Sequence, residues 1–192
     1  MKISNNIPGV TLGGIGWIIL LGFLAYLMSP QVGAAFGIGA GGAVAPALAV
    51  ETIDGGTASL EGYRGQVVLV NFWATWCPPC RIEMPGFQRV YEDKRDEGFV
   101  VLALSTESAG SGAVREFLDE HDITFPVAMA SAQMIKDFGG VRALPTSFLI
   151  DRNGLVRQEI AGYFAAPALR MAVDKLLEEP ATARDTMEVT DG

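Results

Sequence analysis

Two cysteines and one histidine are all the thiol and imidazole chemistry in this 192-residue chain. With no sulfhydryl beyond Cys77 and Cys80, it can build neither a multi-bridge disulfide framework nor a four-thiolate zinc site. Basic residues are absent over a long stretch: after Lys2 the next is Arg64. No acidic residue precedes Glu51. Residues 51–192 carry 13 of the 14 Lys and Arg and all 22 Asp and Glu. Such an acidic balance argues against nucleic acid as a partner, which needs clustered basic side chains. No internal repeat is visible.

Residues 10–28 form a 19-residue run without a charge, roughly 28 Å long as a helix and close to the thickness of a bilayer core. Tyr26 lies near one end, where interfacial aromatics are favoured. Lys2 precedes the run and no base follows it until Arg64, so the positive-inside rule keeps the amino terminus in the cytoplasm and exports the rest. Small-residue triplets at Ala43-Val44-Ala45 and Ala47-Leu48-Ala49 resemble cleavage sites but lie about 15 to 20 residues past the apolar core. An uncleaved anchor over residues 1–30 fits better than a removable signal. The Gly- and Ala-rich residues 31–50 then read as a flexible tether, since Gly37, Gly39, Gly41 and Gly42 each weaken a second helical span by up to about 1 kcal/mol. A folded domain is expected over residues 51–180 and a frayed acidic tail over 181–192.

The two cysteines stand in Trp76-Cys77-Pro78-Pro79-Cys80, directly after the apolar run Val67-Val68-Leu69-Val70-Asn71-Phe72-Trp73. A strand delivering Cys-x-x-Cys to the first turn of a helix places one sulfur where helix-end N–H groups favour its thiolate. A second thiol three residues on can close an intramolecular disulfide and release whatever the first has attacked. Cys77 is the expected nucleophile and Cys80 the resolving thiol. A purely structural bridge is a weak alternative, because so short a loop constrains the unfolded chain little. A Cu(I) site from Cys77, Cys80 and Met84 is a further alternative, as soft sulfur ligands suit that metal. A peroxidase would need Pro-x-x-x-Thr/Ser-x-x-Cys, where this chain has Val70 and Ala74 before Cys77.

Around the motif, apolar runs over 66–73 and 99–105 predict strands covered on both faces. Residues 80–97 predict a helix with Met84, Phe87, Val90 and Tyr91 on one face and a kink at Pro85. A helix over 113–121 carries Val114, Phe117, Leu118 and His121 on an apolar stripe, which makes His121 structural. A strand over 125–130 and a short helix over 132–138 follow. Then comes a hairpin, 146–150 and 155–161, around Asp151-Arg152-Asn153-Gly154, and a final helix over 167–178 burying Leu169, Ala172, Val173, Leu176 and Leu177. Alternating strands and helices point to an α/β sheet.

This order, with Val70 through Pro85 around the Cys pair and Ala143-Leu144-Pro145-Thr146 beyond it, resembles the thioredoxin superfamily. Within it the chain resembles the exported, membrane-anchored TlpA/ResA-type thiol–disulfide oxidoreductases, over about residues 51–178. The resemblance implies a central mixed sheet flanked by helices, with an inserted helix and strand before residue 143. It also implies a cis peptide before Pro145 and a substrate surface of Trp76, Pro78 and Pro79 beside the sulfurs, with Leu144 and Pro145 on the facing loop. Thioredoxin has a buried Asp where this chain has Asn71, and Asn cannot titrate. The resemblance passes the proton-handling role to Glu83, which shares a helix face with Cys80; a carboxylate near a helix start also interacts favourably with the dipole without any such role. The activity implied is reduction of disulfides in exported proteins, apocytochrome c among them, or oxidation by the same residues run backwards. Electrons would come from a membrane thiol donor, and the reading calls for no cofactor and no metal. The implied place is the bacterial inner membrane, single-pass, with the catalytic domain facing the periplasm or cell exterior.

Overall fold

The computed structural model describes residues 42–108 and 110–180. The expected anchor, most of the tether and the acidic tail lie outside these residues. Among the described residues no helix is long and apolar enough to cross a membrane.

Strand β4 (Val67–Trp73) is the centre of the molecule, and all seven of its residues are buried. An uninterrupted apolar run has this outcome when both faces of a sheet are covered. On one side β4 pairs in parallel with β5 (Phe99–Ser105), and on the other antiparallel with β7 (Thr146–Ile150). Six strands follow the order β1-β8-β7-β4-β5-β6, where β1 is Ala43–Val44, β6 is Val127–Met129 and β8 is Leu155–Ala161. The sheet is therefore mixed. Strands β2 (Ala49–Glu51) and β3 (Thr57–Ser59) pair separately.

Period-two alternation along β4 sorts the core into two layers. Val67, Leu69 and Trp73 face a layer built with α1 (Pro78–Lys94), α2 (Gly112–Glu120) and α4 (Ala166–Glu178). Val68, Val70 and Phe72 face Leu48, Val50, Ala58, Phe138 and Phe148, the layer under the β2–β3 pair. Phe138 ends the short helix α3 (Ala132–Asp137) and stacks edge-on against Phe72 and Phe148. Helix α1 continues through Pro85 to Lys94 and buries Met84, Phe87 and Val90, while Tyr91 is half-buried with its ring edge-on to Phe125. Gly86 on α1 lies against Ala166 of α4, so a Cβ there would sit 3.1 Å from the Ala166 Cβ; the small residue lets the two helices close up. The inserted element is α2 with β6, and β6 extends the sheet beyond β5. His121, at the end of α2, stacks on Phe117 at 4.1 Å between ring centroids, a packing role.

Two boundaries differ from expectation. The domain begins before residue 51: Ala43 and Val44 pair with Val156 and Leu155, and Ala49–Glu51 pairs with Thr57–Ser59, so residues 43–50 are folded rather than tether. Helix α1 begins at Pro78 rather than Cys80, because proline at the first helical position has the fixed φ a helix needs and lacks only an N–H that would be unpaired there.

Candidate active site

Cys77 is the residue on which α1 opens: its backbone is extended (φ −89°, ψ 107°) and Pro78 takes the first helical position. Cys77 and Cys80 are joined by a disulfide with their Cα atoms 5.3 Å apart. The two prolines change the electrostatics of the helix end. A helix normally offers several free N–H groups there, but of the first three residues of α1 only Cys80 retains one. The first intrahelical bond already uses Arg81, whose N–H donates to the Cys77 carbonyl at 3.2 Å. No acidic side chain lies in the first turn. The site therefore favours a Cys77 thiolate through the dipole and few direct donors.

Cys77 is 3% exposed and Cys80 fully buried, so the pair meets solvent through the Cys77 side alone. Trp76, 64% exposed, stands beside it. A groove of about 460 Å³ opens next to Cys77, its walls including Trp76, Pro78, Pro79, Val141, Arg142 and Leu144. Four of the five residues expected as the substrate surface thus line one groove. Pro145 does not: it is buried behind Leu144, and the Leu144–Pro145 peptide is cis. Its carbonyl accepts from Gly162 N–H at 2.7 Å, which ties the Pro145 loop to residues 162–164. Met84, the third sulfur of the copper alternative, is fully buried in the core. Among the described residues no group of three or more His, Cys, Asp or Glu is placed to hold a metal ion.

Glu83 lies one turn beyond Cys80 on the buried face of α1 and is 2% exposed. Its Oε1 accepts from Asn71 Nδ2 at 3.0 Å and its Oε2 from the Phe164 backbone N–H at 3.0 Å. Burial raises its carboxyl to about 7 against the opposing pull of the hydrogen bonds from Phe164 and Asn71. A carboxyl poised near neutrality under a dithiol can accept a thiol proton and return it. A surface carboxylate serving the helix dipole would be neither buried nor shifted in this way.

Sequence reasoning did not reach Ser147, whose Oγ accepts from Asn71 Nδ2 at 3.0 Å, nor the Phe164 N–H. The first rests on the β4–β7 register, which sets Ser147 opposite Asn71 across 76 residues of sequence and has no local signal. The second is a backbone group and leaves no mark in the sequence. Arg142 was also missed as a groove residue.

A model of the AhpC/TSA family matches residues 42–159. The thiol-disulfide oxidoreductase ResA of Bacillus anthracis is 35% identical over 150 residues, covering 78% of this chain and 81% of the relative. A thioredoxin-family thiol:disulfide interchange protein from Chlorobium tepidum superposes with a TM-score of 0.67 at 32% identity, over 71% of this chain and 97% of its own. The thiol:disulfide interchange protein DsbE of the same organism gives 0.62 at 34%, over 71% and 94%. The chain belongs to the thioredoxin-like AhpC/TSA family and, within it, to the thiol–disulfide oxidoreductases of the ResA and DsbE type.

Proposed function

We propose that the chain is an exported protein-disulfide reductase, anchored by residues 10–28 in the bacterial inner membrane with its dithiol in the periplasm or outside the cell. Cys77 thiolate attacks a substrate disulfide; a Cys77–substrate disulfide forms and one substrate thiolate leaves. Cys80 then gives its proton to Glu83 and attacks the Cys77 sulfur, releasing the second substrate thiolate. Two electrons pass from the dithiol to the substrate, and a membrane thiol donor restores them. Exported cysteine pairs awaiting a reduced state, such as those of apocytochrome c before haem attachment, are the substrates this reading favours.

The direction rests on one observation: two prolines leave α1 a single N–H in its first three residues. Fewer donors stabilise the thiolate less, and a less stabilised reduced form makes a stronger reductant. Val70, midway along β4, and Ala74, just past its end, are both buried and hold the positions where a peroxidase pattern needs Pro and Thr or Ser. The test is Cys80→Ser in cells: disulfide-linked partners should accumulate on Cys77 and be released by reductant. Their absence, with Cys77 still open to alkylation, would overturn the mechanism.

A further inference from the structure

Arg142 is the one charged residue among those lining the groove beside Cys77, and Trp76, Ile135, Val141 and Leu144 are among the apolar ones. Its backbone is pinned on both sides. Val141 N–H donates to the Ile135 carbonyl at 3.3 Å, and the Ala143 carbonyl accepts from Thr146 Oγ1 at 2.8 Å. The Arg142 side chain itself is exposed. Among the described residues its guanidinium has neither an ion-pair nor a hydrogen-bond partner. Two further charges approach the motif, Arg81 and Glu107. They are of opposite sign and both bond to Thr75, Arg81 to its carbonyl and Glu107 to its hydroxyl, and neither lines the groove. An arginine can lay its stem along apolar surface and hold its head in water. That head is a rigid fork of donors matched to a carboxylate.

We infer that Arg142 sets substrate choice: the groove selects a disulfide cysteine that has an acidic residue next to it and a large apolar residue beyond. The carboxylate pairs with the Arg142 guanidinium while the apolar side chain lies against Trp76 and Leu144. The net charge of −8 taken alone argues for the opposite, a basic partner. Distance decides between the two. At physiological ionic strength charges are screened beyond about 8 Å, so a residue seated in the groove meets Arg142 and little of the acids spread over the rest of the surface. Selection of this kind rests on Cys77 being the sulfur that exchanges with substrate, and not on the direction of electron flow.

The experiment uses the reduced full-length chain and two peptide disulfides, each the symmetric dimer of a peptide with one cysteine flanked by leucine. One peptide carries Asp next to the cysteine and the other Lys. With the peptides in excess, the rate of oxidation of the dithiol is divided by the rate at which the same peptide oxidises dithiothreitol, which removes the intrinsic reactivity of each disulfide. The Asp peptide should be favoured about tenfold at low salt, the scale of gaining one partly exposed pair and avoiding one repulsion. The preference should shrink towards unity in about 1 M salt, where the screening length is about 3 Å. Arg142→Gln should bring the ratio near unity, and Arg142→Glu should reverse it. A native ratio at or below unity would overturn the inference without recourse to any variant. A ratio unmoved in a folded Arg142→Gln would also overturn it, as would both peptides slowing equally, the mark of a residue that acts only on the Cys77 thiolate. Oxidation of the dithiol by neither peptide would reject Cys77 as the exchanging sulfur, and the inference with it.

Discussion

Glu83→Gln is expected to make the protein more stable in alkaline solution and slower in its own reaction. Below about pH 4.5 the carboxyl is protonated whether the chain is folded or not, and contributes no pH dependence. Between 4.5 and about 7 the unfolded chain releases this proton while the folded protein, whose carboxyl is raised by burial, keeps it. Stability falls across that window as pH rises. Above it the full difference applies, on the order of 3 kcal/mol. Glutamine cannot ionise, so this loss disappears. Urea unfolding of the oxidised protein should give native and variant curves that converge near pH 4.5 and separate by about 2–3 kcal/mol at pH 8.5, the variant being more stable. Parallel curves at all pH values would refute the buried-carboxyl account. Cys80 attack on a preformed mixed disulfide should slow by roughly 10²-fold, the scale of general base catalysis, and lose its inflection near pH 7.

Phe87→Ala is expected to cost about 3–5 kcal/mol, the range for emptying a buried aromatic site. A domain of this size holds about 5–15 kcal/mol in total, so the variant should fold but marginally. Phe87 is fully buried on α1, and its ring meets Phe164 edge-on at 6.4 Å between centroids. Phe164 supplies the N–H that holds Glu83 Oε2. The cavity should therefore loosen one of the two hydrogen bonds to the carboxyl as well as the core. The denaturation midpoint should fall sharply for Phe87→Ala and by an intermediate amount for Phe87→Leu, which keeps most of the volume. A loss below about 1 kcal/mol would mean that α1 is not anchored through this residue.

The parts of the fold legible in the sequence are those where one local signal dominates. β5 and the β7–β8 hairpin fall at the predicted residues, and β4 within one of them. For β4 and β5 the signal is an unbroken apolar run. For the hairpin it is a turn in which Asp151 Oδ1 accepts from the N–H groups of Asn153 and Leu155 and Gly154 takes a positive φ of 75°. Residues 43–50 were not legible. Their sequence, Ala alternating with Val, Pro and Leu, has no polar–apolar alternation to mark a strand, and β1 exists because the edge of β8 offers it hydrogen bonds. The sulfurs and their flanking residues were readable from spacing and resemblance. The hydrogen bonds around Glu83 were not, because they join β4, β7 and the loop before α4 across 76 and 81 residues of sequence.

In the proposed function this site gives electrons to other proteins' disulfides. The reduction potential of the Cys77–Cys80 couple tests it most directly, by equilibrating the full-length chain in dithiothreitol buffers and reading the dithiol fraction. The two prolines and the few N–H groups at the start of α1 predict a value at or below that of thioredoxin, about −270 mV. A value near −120 mV, that of the oxidant DsbA, would contradict the account and make the site a source of disulfides.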